Sequence, residues 1–176
     1  MVYRDFLVMC KANFSANSYS LIRSALRLAV TRLAGKKRYD GSAFVLHSVN
    51  IAQIVVAEIG LGRNSALTAL LHDVARLGLV TEQEIHDEYG AKCVELLRGM
   101  NNISQVDPKT STLQIDNFKE LIVSYSTDPR VILIKIADRL EVMRSLRSFP
   151  LGKRTKKSWE TLHLYAPIAN KLGSII

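Results

Sequence analysis

Residues 66–75 read Ala-Leu-Thr-Ala-Leu-Leu-His-Asp-Val-Ala, and the fold turns on this stretch. Wound as a helix it is apolar on most sides, which puts it inside a helical assembly rather than on its surface. Yet His72 and Asp73 interrupt it, between Leu70-Leu71 and Val74-Ala75. A buried carboxylate is costly unless it is paired or ligates a metal, so the same segment that promises the core also promises a site.

Working outward, Ser65 is expected to cap this helix, which runs to about Leu77. Upstream, residues 46–60 are apolar nearly all round, and residues 20–33 put Leu21, Ile22, Ala25, Leu28, Ala29 and Leu33 on one face. The polar segment Gly35-Lys36-Lys37-Arg38-Tyr39-Asp40-Gly41-Ser42 links them as a loop. Downstream, Thr81 and Glu84 have capping-box spacing for a short helix ending near Gly90, and another helix is expected over 91–99. Residues 99–113 read as a loop, and Ile115, Phe118, Leu121, Ile122 and Tyr125 as an amphipathic helix. Asp128 followed by Pro129 starts the next helix, 148–157 reads as a basic loop, and Trp159 to Leu172 as a last helix bent or broken at Pro167. No period-2 run or hairpin turn pair stands out. The reading is a single all-α domain, 1–176, of about eight to ten helices.

Composition narrows the class. With 48% apolar and 23% charged residues and only 9 Gly and 4 Pro in 176, the chain is globular, not disordered or low-complexity. No apolar run reaches the roughly 18 residues of a membrane span, and no secretory leader opens the chain, so a cytoplasmic protein without membrane association is expected. Cys10 and Cys93 form neither a disulfide framework nor a metal-binding pair of closely spaced cysteines. The 24 Lys+Arg against 16 Asp+Glu leave +8, which suits a polyanionic partner without saying which.

His47 sits in the first turn of the 46–60 helix, His72 and Asp73 inside the next, and Asp138 between Ile136-Ala137 and Leu140 in the third apolar helix. Two imidazoles and two carboxylates converging from three helices would make a mixed N/O site for a divalent transition ion. The blander alternative stands beside it: Asp138 pairs with Lys135 one turn earlier, His72 is a satisfied core histidine, and His47 is a surface residue at a helix start.

In order, His47, His72-Asp73 and Asp138 form the H…HD…D pattern of HD-domain phosphohydrolases. The strings RYDGSAFVLHSVNIAQIV, ALTALLHDV, DPRVILIKIADRLEVMRSL and ETLHLYAPIANKLG resemble the amino-terminal hydrolase domain of the RelA/SpoT family, from about Arg38 to Gly173. The resemblance implies an all-helical HD bundle holding manganese on His47, His72, Asp73 and Asp138, and a 3′-pyrophosphohydrolase acting on the guanine alarmones ppGpp and pppGpp. It places Arg38, Tyr39, Lys135, Arg139 and Ser145 among the residues that would meet the nucleotide, with Arg38 against the guanine. It also implies a synthetase domain following in a longer protein, because ETLHLYAPIANKLG resembles a junction. Nucleic acid is not an expected partner of such a domain.

The chain departs from the family where the chemistry lies. The family reads HDxxED; here Arg76 and Leu77 stand at the Glu and Asp positions. An arginine cannot accept a proton at neutral pH and repels a divalent ion, and leucine can neither accept a proton nor orient water. Glu141 and Val142 replace a histidine and an asparagine, Tyr39 a lysine, and Ser145 a threonine. Losing an acid–base role typically costs about a hundredfold to ten-thousandfold in rate. Hydrolysis is therefore expected to be weak or absent, with Arg76 able to hold a phosphate instead. The rival readings are an active manganese-dependent ppGpp hydrolase and a non-catalytic basic helical module binding RNA or protein.

Overall fold

The computed structural model describes residues 2–105 and 128–173. Among the described residues there are nine α-helices and no β-strand beyond one isolated bridge, Lys37 to Ala43. The chain divides into two compact units, Met1–Arg98 and Gly99–Ile176.

The first unit is built around α4, Arg63–Arg76, in which every residue from Ser65 to Val74 is buried. On it pack α2 (Ala16–Arg32) and α3 (Val45–Gln53), while α1 (Val2–Asn13) covers α2 and α3. The continuous apolar surface of 46–60 is thus explained: α3 runs straight into a π-helical turn, Ile54–Glu58, closed by Ile59 N–H donating to the Ile54 carbonyl at 3.0 Å. The start of α4 differs from the expectation. Gly62 is its cap, and Ser65 lies inside the helix with its hydroxyl buried and without a hydrogen-bond partner among the described residues. The Thr81–Glu84 capping box does form, at the head of α5 (Glu82–Tyr89). Gly90 ends that helix at φ +90°, a conformation side chains resist.

The next helix, α6, covers Ala91–Gln105, so the loop expected to begin at Gly99 is helical for its first seven residues; its remainder and the 115–125 helix lie outside the described residues. The correction has a visible cause, since Met100 and Ile103 continue the buried face of Leu96 and Leu97. In the second unit, Asp128 caps α7 (Pro129–Arg144) by accepting the Arg130 N–H at 3.0 Å. Gly99 lets α6 approach α7: a Cβ there would lie 2.8 Å from Val131 Cγ2. The expected basic loop over 148–157 is overturned as well, because α8 occupies Leu151–Glu160 with Pro150 at its cap. Pro167 does not break the last segment. A π-helical turn at Thr161–Tyr165 precedes α9 (Ala166–Gly173), and Ala166 N–H reaches back to the Thr161 carbonyl, re-registering the ladder just before the residue that lacks a donor.

Candidate metal centre

Helices α3 and α4 bring three of the four expected ligands together. His47, on the first turn of α3, and His72 and Asp73, near the end of α4, each offer a donor atom, and these atoms lie within 4.8 Å of one another. The two rings meet edge to face with centroids 5.5 Å apart. The Asp73 carboxylate is buried to 3% side-chain exposure, with Oδ2 standing 3.3 Å from His72 Nε2 and 4.0 Å from His47 Nε2.

Two details decide what this cluster is suited to. His72 Nδ1 lies 2.8 Å from the Ala69 carbonyl, which can only accept; a proton therefore belongs on Nδ1, and Nε2 is the nitrogen that the neutral ring offers to a metal, the second-sphere arrangement typical of metal-binding histidines. Asp73 Oδ2, meanwhile, is buried without a hydrogen-bond partner among the described residues. With the ring neutral, a buried carboxylate oxygen facing the Nε2 lone pair is unfavourable unless a cation lies between them. The donor set, two imidazole nitrogens and one carboxylate oxygen, suits a divalent transition ion, so the residues fit the metal implied by the sequence.

The other carboxylate oxygen is already engaged. Arg76, one turn on, donates to Asp73 Oδ1 from Nη2 at 2.5 Å and from Nε at 3.1 Å. Burial pushes the Asp73 carboxyl up, but the positive charge that the His72 and His47 imidazoles carry when protonated, together with the Arg76 guanidinium, outweighs it and holds it below its ordinary value. Leu77, the next residue, is 38% exposed and closes the helix as its C-cap.

Arg38 and Tyr39 occupy a tight loop of the first unit. Arg38 N–H donates to the Ser42 carbonyl, Phe44 N–H to the Lys36 carbonyl, and Asp40 Oδ1 accepts from both the amide and the hydroxyl of Ser42. These bonds hold the Asp40 carboxyl below its usual range and fix the loop from which Tyr39 protrudes, 51% exposed.

The remaining expected site residues belong to the second unit. Asp138 accepts from Lys135 Nζ at 3.4 Å, which is the pairing that the spacing alone anticipates. Arg139 is held inside that unit: Nη2 donates to Glu160 at 2.8 Å, and the guanidinium lies 4.3 Å over the Tyr165 ring. Ser145 turns its hydroxyl back onto the Glu141 and Val142 carbonyls at the end of α7. Glu141 is itself buried, and burial, then the neighbouring Arg139, push the Lys157 ammonium down. The residue that sequence reasoning missed here is Glu160, the anchor of Arg139. Its only signal was a lone acid at the end of a basic run.

Comparison with known proteins agrees with this geometry. The family model described as HD domain matches residues 25–175. The chain belongs to the HD-domain family. Its relatives bear out the RelA/SpoT resemblance. A protein of Aquifex aeolicus named guanosine-3′,5′-bis(diphosphate) 3′-pyrophosphohydrolase is 34% identical over 152 residues, 86% of this chain and 21% of that protein. The bifunctional (p)ppGpp synthase/hydrolase SpoT of Escherichia coli K12 is 35% identical over 155 residues, 86% of this chain and 22% of its own length. A GTP pyrophosphokinase of Myxococcus xanthus is 35% identical over 143 residues, 79% of this chain and 19% of that protein. The chain thus spans about a fifth of the length of the curated relatives it matches. Among solved structures, a metazoan ortholog of SpoT described as hydrolysing ppGpp shares the fold, with a TM-score of 0.66 at 21% identity over 88% of this chain and 86% of that one. No described helix is long and apolar enough to cross a membrane.

Proposed function

We propose that this HD domain binds the alarmones ppGpp and pppGpp beside a divalent ion, manganese in the first instance, and that its 3′-pyrophosphohydrolase activity is weak or absent. The observation that carries the metal is the buried Asp73 Oδ2, set beside His72 and His47 without a hydrogen-bond partner among the described residues. Asp138 is the fourth ligand in this reading. Arg38 lies against the guanine, with Tyr39, Lys135, Arg139 and Ser145 as further contacts to the nucleotide. When bound, the ion would contribute Lewis-acid polarisation of the scissile pyrophosphate and activation of water.

What the chain's own residues do around that ion limits the reaction. Proton transfer needs a group able to give up and take back a proton, and at the two positions following the His-Asp pair at family spacing stand a guanidinium tied to Asp73 and a leucine facing solvent. Both fail that requirement. The domain would accompany a synthetase domain in a longer cytoplasmic protein and report on alarmone rather than consume it.

Pyrophosphate release from ppGpp with Mn²⁺ tests this, on the native chain and on Arg76→Glu combined with Leu77→Asp. We expect negligible turnover natively and a gain of at least a hundredfold in the variant. Brisk, equal turnover in both would replace this reading with an active hydrolase.

A further inference from the structure

Arg76 is more than a lost glutamate. Its guanidinium places two donors on a single oxygen of Asp73, Oδ1, and leaves Oδ2 turned toward the imidazoles. The carboxylate is almost wholly buried, whereas the arginine is 46% exposed, so one end of the pair is desolvated and the other reaches water. A buried carboxylate whose counter-charge leaves must find another or lose stability.

We infer that Arg76 is the resident counter-cation of the metal centre: it stabilises the Asp73 carboxylate when no ion is bound, and by the same charge it weakens the ion's binding. The inference rests on the metal-site reading above. Two consequences follow from the geometry. The guanidinium on Oδ1 and an ion on Oδ2 would share one carboxylate, so their like charges repel across a few ångströms of low-dielectric interior. And in the metal-free domain part of the Asp73 charge is still compensated, because Arg76 meets Oδ1 from within the same helix. Arg76 is thus a positioning residue, setting how readily the site loads.

The test measures Mn²⁺ binding by calorimetry and thermal unfolding in EDTA, on the native chain, Arg76→Gln, Arg76→Met and Arg76→Lys. Removing the charge should tighten Mn²⁺ about tenfold and lower the metal-free melting temperature by about 2–4 °C, with saturating Mn²⁺ closing that gap. Arg76→Lys should stay near native on both measures, which a merely steric role would not produce. Unchanged or weaker Mn²⁺ binding in the Gln and Met variants would overturn the inference while leaving the metal site standing. Absence of Mn²⁺ binding in every form would overturn both.

Discussion

Asp73 and Glu160 are both buried acids on helices, one in each unit of the chain, and the structure treats them oppositely. Glu160 accepts from Arg139 at 2.8 Å, with Lys156 Nζ 3.8 Å from its other oxygen, and Arg139 is further held over Tyr165. Its charge is answered by protein alone. Asp73 has one oxygen answered by Arg76, while the other has no hydrogen-bond partner among the described residues and faces the His72 and His47 imidazoles at 3.3 and 4.0 Å. Burial of a charge therefore does not mark a site here. What singles out Asp73 is a buried carboxylate oxygen left without a hydrogen bond beside two imidazoles, a cost that a bound cation would remove.

The sharpest way to break this contrast is Asp73→Asn. The amide keeps the shape of the side chain but loses the charge, so we expect Mn²⁺ affinity to fall by more than about a hundredfold, the loss of a ligand exceeding the tenfold to hundredfold typical of second-sphere changes. Calorimetric titration reads it directly. Glu160→Gln should leave Mn²⁺ binding unaltered, and a comparable loss there would mean that the two acids do not differ as described.

Next in size is Arg139→Met. If the Arg139–Glu160 pair is structural, removing the cation leaves a nearly buried carboxylate and costs about 3 kcal/mol, readable as a lower urea midpoint at unchanged slope. The sequence resemblance instead gives Arg139 to the nucleotide. A variant that keeps its stability and loses ppGpp binding would favour that role over the one seen within the unit.

These residues also show what the sequence could and could not disclose. The core helix α4, its His72-Asp73 interruption, the Thr81 capping box and the Asp128-Pro129 start were all legible, because each is a local pattern with a local cause. Helix α8 was not. Lys153, Arg154, Lys156 and Lys157 obscure a helical period that buries only Glu160, and the usable signal was Pro150 at its head rather than any apolar stripe. Arg76 was legible as a departure from a motif, but its bond to Asp73 was not, because i,i+3 spacing permits a pair without requiring one. Ser65 misled for a similar reason: a good capping residue lost its place to Gly62, three positions earlier.

The smallest effect separates the two cations on Glu160. Lys156 approaches from one turn away with its ammonium at 3.8 Å and its side chain 53% exposed, whereas Arg139 is 10% exposed. An exposed lysine gains little Coulomb energy beyond what water supplies, and ordering its long chain offsets part of that gain. Lys156→Ala should therefore change stability by no more than about 0.5 kcal/mol, with the effect fading as salt is raised. Urea melts at low and high ionic strength would check it. A loss approaching that of Arg139→Met would show that Glu160 depends on both partners together, and its charge would then be less securely answered than the contrast with Asp73 requires.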